Sequence, residues 1–199
     1  MDRITKTSNE RFTITFDFKN DLSSIDSLVS KSVTCVNVAT GVDSSATIIT
    51  SSAIANPKIT VVLAAAGTSG DVHKITCNGS TTLGITFQKE VYLDINDKMY
   101  YDTFTKQPTD LFTVGANFSS ELATGETITS KAVTSVNGAT GASSTSTVID
   151  VSGISSDALS ILANMKAGID GETHIIKFIA TTSASNVYEK QVSMRVKEL

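Results

Sequence analysis

The chain of 199 residues has two histidines, and each stands two residues after an acid: Asp71 before His73, and Glu172 before His174. On a strand that spacing puts acid and imidazole on one face. A carboxylate beside an imidazole is the pair from which a general base, or part of a metal site, can be built. Two ligands fall short of the three or four that zinc takes from a protein. The plainer reading is an amphipathic side chain filling a slot at the start of a strand. No residue is assigned to catalysis, to a cofactor or to a metal. Cys35 lies two residues after Val33 and shares its face, and Cys77 stands where the second half of the chain has Phe178. Both are expected to be buried as small hydrophobes with free thiols. Gly67 through Gly70 lacks the spacing of a phosphate loop, and the sequence has no GxSxG, HExxH, EF-hand or CxxC motif. The side chains point away from an enzyme.

Those residues sit in a chain that repeats itself. SKSVTCVNVATGVDSSAT at 30–47 returns as SKAVTSVNGATGASSTST at 130–147. The match places Lys31 over Lys131, Val33 over Val133, Asn37 over Asn137 and Gly41 over Gly141. Upstream, Phe12, Phe18 and Leu22 fall on Phe112, Phe118 and Leu122; downstream, one residue later, Gly67, His73 and Lys89 fall on Gly168, His174 and Lys190. A period near one hundred residues is that of a whole small domain. The expected division is a domain over 1–97, a linker over 98–108 and a second domain over 109–199.

Within each half, Phe12, Ile14, Phe16 and Phe18 alternate with polar residues, the period of a strand with one buried face. Further strands are expected over 28–37, 46–50, 59–65, 73–78 and 87–95. Their turns are expected at Ala39-Thr40-Gly41, around Pro57, at Gly67–Gly70, at Asn78-Gly79 and at Leu83-Gly84. About seven short strands without an amphipathic helix predict an all-β fold, two tandem antiparallel β-sandwich domains. Residues 1–9 read as a polar arm.

The net charge of -4 supplies no basic patch for nucleic acid, and no apolar run is long enough to span a membrane. The N-terminus has no leader-like apolar segment, so assembly in the cytoplasm is expected. Charged residues are 18% of the chain, low for a free monomer, which favours a homo-oligomer. The expected linker holds Tyr100, Tyr101 and Phe104. These rings pack between the domains or dock on a neighbouring subunit, and they are the candidate interface residues together with the arm.

The second half resembles a family of tailed-phage virion proteins described as fibre–tail adaptors, which have an Ig-like β-sandwich. The resemblance rests on Lys106 through Pro108, Phe118, Leu122, Gly125-Glu126-Thr127-Ile128, Gly168 and Gly171. Thr181-Thr182-Ser183, Tyr188-Glu189 and Met194-Arg195-Val196 also carry it. The first half reaches the family only through the repeat, with Ile25-Asp26-Ser27-Leu28 where the second has Gly-Glu-Thr-Ile. The resemblance implies a non-enzymatic virion protein joining tail or neck to a fibre, with tail, neck or portal-proximal proteins and fibres as partners. It also implies that Cys35 and Cys77 stand, by strand order, on the two strands that carry the bridge of immunoglobulin domains. Lys31 and Lys131 suggest the lysine of an isopeptide bond, but no matching acid and amide can be assigned. The alternative reading is a module that binds a host surface or carbohydrate, which the lack of Trp disfavours.

Overall fold

Alternation of apolar and polar residues builds the same sandwich twice. The computed structural model describes residues 2–97 and 100–198, and the chain divides into two units, Met1–Asp97 and Lys98–Leu199. The first unit runs β1 (Asp2–Lys6), β2 (Thr13–Asp17), β3 (Leu28–Asn37), α1 (Ser45–Ile48), β4 (Ile49–Ala55), β5 (Lys58–Leu63), β6 (Val72–Thr81) and β7 (Thr86–Ile95). The second repeats it as β8 (Tyr100–Lys106), β9 (Phe112–Asn117), β10 (Ile128–Asn137), α2 (Thr145–Val148), β11 (Ile149–Ser156), β12 (Ser160–Met165), β13 (Thr173–Thr182) and β14 (Val187–Val196).

Each unit has a four-stranded sheet, β1-β7-β6-β3 or β8-β14-β13-β10, facing a three-stranded sheet, β2-β5-β4 or β9-β12-β11. All pairings are antiparallel except those of the first strand with the last: Asp2–Lys6 runs parallel to Val91–Ile95, and β8 runs parallel to β14. Seven strands in two sheets, with the first strand carried over to the larger sheet, form an Ig-like sandwich. The inward faces meet in two separate cores. Phe18, Ile59, Ile75 and Leu93 are fully buried in the first, and Phe118, Ile161, Ile176 and Met194 in the second. Each such side chain contributes roughly 1.5–3 kcal/mol of transfer free energy.

The repeated Asn-x-Ala-Thr-Gly segment is a side-chain-closed turn. Asn37 Oδ1 accepts the N–H groups of Ala39 and Thr40 at 3.0 and 3.1 Å, and Asn137 does the same for Ala139 and Thr140 at 3.0 and 3.2 Å. Gly41 and Gly141 then take the left-handed conformation, with φ of 70° and 71°, which glycine adopts without a Cβ clash.

Several expectations need correction. Residues 100–106, expected within a linker over 98–108, are strand β8 of the second sandwich, and the expected arm contains β1. Ala46–Thr50 is not a strand throughout: α1 makes one helical turn to Ile48 before β4 begins. Gly67–Gly70 is no hairpin turn but lies in the crossing from β5 to β6, which belong to different sheets. Asn78-Gly79 lies inside β6, where Gly79 makes room for Leu28, Ile59 and Phe18.

Candidate functional site

The sequence singled out its two histidines, and the structure puts them in the same place in each unit. His73 lies at the start of β6 and His174 at the start of β13, each facing the loop that leads into the one-turn helix. Ser44 Oγ is 2.9 Å from His73 Nδ1, and Ser144 Oγ is 3.0 Å from His174 Nδ1. The hydroxyls lead onward into β3 and β10: Ser44 Oγ lies 3.4 Å from Cys35 Sγ, and Ser144 Oγ lies 2.9 Å from Ser135 Oγ. Asp71 stands 3.9 Å from His73 Nε2, and Glu172 stands 3.1 Å from His174 Nε2, off the line of the ring N–H. Burial depresses the His73 pKa, Asp71 opposes this and Lys6 adds to it. Both imidazoles are buried and their Nε2 atoms are sealed from water. A base must offer a nitrogen to its substrate. These rings latch a loop to a strand.

The serines were missed in the sequence because a Ser that serves a histidine thirty residues away looks like any other Ser. The repeat held the signal, since Ser44 and Ser144 are equivalent positions. Three more polar devices are doubled in this way. Lys6, fully buried, donates to the carbonyls of Thr7 and Ala66 at 2.7 and 2.8 Å. Lys106 donates to those of Gln107, Pro108 and Ala167 at 2.7, 3.2 and 2.6 Å. Lys89 Nζ sits 5.2 Å from the centre of the Phe18 ring and 2.9 Å from Asp21. Lys190 Nζ repeats this at 5.5 Å over Phe118 and 3.1 Å from Glu121.

The third device closes the opposite end of the sandwich. Glu126 accepts hydrogen bonds from Thr182 Oγ1, from Asn186 Nδ2 at 2.9 Å and from Ala123 N–H at 2.9 Å. Burial acts to raise the Glu126 pKa, but these bonds outweigh it and hold the carboxyl below its usual value. In the first unit Asp26 does the same work on the β6–β7 hairpin, accepting from Thr82 Oγ1 at 2.6 Å and Leu83 N–H at 3.3 Å. Where the Gly-Glu-Thr-Ile step is absent, the first unit thus still ties this loop to the hairpin, through different partners.

Cys35 and Cys77 are fully buried free thiols. Of the two, Cys77 lies on β6, which corresponds to one bridge strand of an immunoglobulin domain, whereas Cys35 lies on its neighbour β3 and not on β2, which corresponds to the other. Val33 pairs with Cys77 and Cys35 with Ile75, so the two thiols are diagonal neighbours within one sheet. Such diagonals span about 7–8 Å, too far for a disulfide. The strand count shifts by one because the expected arm contributes β1. Burial raises the Cys77 pKa to about 11, with Lys31 opposing, and raises that of Cys35. Lys31 Nζ donates to Ser52 Oγ at 2.7 Å. Among the candidate interface rings, Phe104 is half-buried against the core of its own unit, edge-on to Phe112 at 5.4 Å. Tyr100 and Tyr101 begin β8, and their side chains lie outside the described residues.

The units differ in their cores, with Cys77 and Leu93 where the second has Phe178 and Met194, and also at one loop end. Ile25, Val29, Leu83 and Ile85 are exposed by 81, 56, 57 and 46% at one end of the first sandwich, where the loop before β3 meets the β6–β7 hairpin. Gly125, Thr129, Ala184 and Asn186 hold those positions in the second.

Comparison with curated proteins finds no match. Among solved structures the chain is similar to an I-band fragment of titin, at 10% identity and a TM-score of 0.30, covering 98% of this chain and 62% of the fragment. It is also similar to the N-terminal Ig1-2 module of the Drosophila receptor protein tyrosine phosphatase DLAR, at 9% identity and a TM-score of 0.34, covering 99% of this chain and 95% of that one. The chain thus spans less than two thirds of the titin fragment. The family model described as podophage GP4 fiber-tail adaptor protein gp77 matches residues 6–94 and again residues 106–195. The first half therefore reaches the family in its own right, which corrects the expectation that it does so only through the repeat. With nearly its whole length matched in two successive copies, the chain belongs to the podophage GP4 fiber-tail adaptor family.

Proposed function

We propose that this protein is a virion component that joins tail or neck to a fibre through protein–protein contacts and performs no catalysis. The double family match carries this reading. The sealed imidazoles and the apolar loop end support it, since large exposed apolar residues in a cluster mark contact surfaces. The chain is further proposed to assemble as a symmetric homo-oligomer in the host cytoplasm, with Tyr100 and Tyr101 among its contact residues; Phe104 is committed to its own core.

The test is co-purification of the chain with the tail and fibre proteins of its phage, beside mass spectrometry of purified particles. Stoichiometric presence in particles, with binding to at least one tail or fibre protein, is expected. Absence from particles together with hits on a glycan array would move the assignment to host-surface binding.

A further inference from the structure

Among the described residues, strand β2 has a neighbouring strand on one side only. It pairs with β5 and stands at the edge of its sheet. The phase of that ladder is set by two flanking bonds: Leu63 N–H donates to Phe12 O at 2.9 Å, and Phe18 N–H donates to Pro57 O at 3.0 Å. In an antiparallel pair, bonded residues alternate with non-bonded ones, so Ile14 and Phe16 also address β5. Thr13, Thr15 and Asp17 therefore turn their N–H and C=O groups to the open side. Across the sandwich, β1 joins β7 only from Val91 onward, so the first half of β7 also lacks a strand there among the described residues.

A cleft of about 500 Å³ opens between these two edges. Its floor is apolar, made by Ile4, Ile14, Phe16 and Val91, of which Ile4 and Ile14 are only half-buried. Its rim carries three carboxylates, Asp2, Asp17 and Glu90. Lys58 stands 3.7 Å from Asp17, Lys74 stands 3.3 Å from Glu90, and Lys89, the ammonium in the lining, is held by Asp21 at 2.9 Å, so these four acids still outnumber the three lysines by one. An unpaired edge offers backbone bonds to an incoming strand, an apolar floor takes its alternate side chains, and an acidic rim attracts basic residues.

We propose that this cleft receives an extended strand from another virion protein, apolar at alternate positions and flanked by lysine or arginine, which adds to the edge of β2. The source of the strand rests on the adaptor reading; the cleft itself does not. The second unit differs here, because Phe104 stands where the first has Ile4. Ile4→Phe therefore copies the bulkier residue of the second unit into the cleft. Thr15→Pro removes one outward N–H while leaving the bonds to β5 in place, and an edge strand tolerates proline.

The experiment uses the full chain against an array of overlapping peptides tiled across the tail and fibre proteins of its phage. Peptides of alternating apolar pattern with a basic flank are expected to bind. Thr15→Pro and Ile4→Phe should each weaken them about tenfold, at a thermal midpoint close to that of the parent chain. Bound peptide should also slow amide exchange at Thr13, Thr15 and Asp17. Binding by no peptide, by peptides without the pattern, or equally by parent and both variants overturns the inference. If Thr15→Pro fails to fold, Ile4→Phe and the exchange data decide. Particle composition separates the two readings: a chain present in particles whose binding ignores both variants sinks the strand, whereas a chain absent from particles sinks the adaptor.

Discussion

Protonation governs how the Ser44–His73 latch holds. Burial keeps the His73 ring neutral, with its folded pKa below the ordinary value of 6.5; Lys6 acts in the same sense and Asp71 against it. The unfolded chain then takes up the proton first. The latch contributes fully above about pH 6.5, and its contribution is lost as the pH falls through and below that value. The thermal midpoint should accordingly drop between pH 7.5 and 5, and His73→Phe should flatten that drop; an unchanged slope would remove His73 from the account. Thiol chemistry gives a second check at this scale. With its pKa near 11, Cys77 has about one thiolate in ten thousand at pH 7. An aromatic disulfide reagent should find almost no thiol in the native protein, and both cysteines once the chain is unfolded.

Among the elements, β6 and its partner β13 show how one frame accepts two sequences. Gly79 in β6 corresponds to Ala180 in β13, which is fully buried. A Cβ at Gly79 would stand 2.7 Å from Leu28 Cδ2 and 3.2 Å from Ile59 Cδ1. Gly79→Ala should therefore cost about 1–3 kcal/mol, read by urea unfolding, although alanine is the residue of the other copy. At the same end, Glu126→Ala leaves Thr182, Asn186 and Ala123 without their acceptor and should cost about 1–3 kcal/mol. The central strands were legible because Phe12 to Phe18 and their counterparts alternate cleanly. β1 and β8 were not: DRITK offers one aliphatic residue, and its pairing is with a strand some ninety residues away, which no local pattern encodes. The equivalence of Lys6 and Lys106 was the available clue, since both repeats close a lysine over carbonyls at that point. α1 and α2 escaped because four residues cannot show a helical period. The latch was half legible, its imidazole and acid visible and its hydroxyl hidden among many serines.

For the whole molecule, each unit has its own seven strands and its own core, so residues 98–199 expressed alone should give the dispersed amide spectrum of a folded domain. Phe118→Ala should cost that domain about 3–5 kcal/mol. A collapsed spectrum for the isolated half would show that the second core needs the first. The parallel pairing of first with last strand has a mechanical consequence. A pull on the two ends of the first unit draws β1 and β7 in opposite senses along their common ladder, so its rungs bear the load together in shear instead of parting one at a time. β8 and β14 are loaded the same way. A load applied at the ends of either unit would meet the stiff direction of that sandwich first.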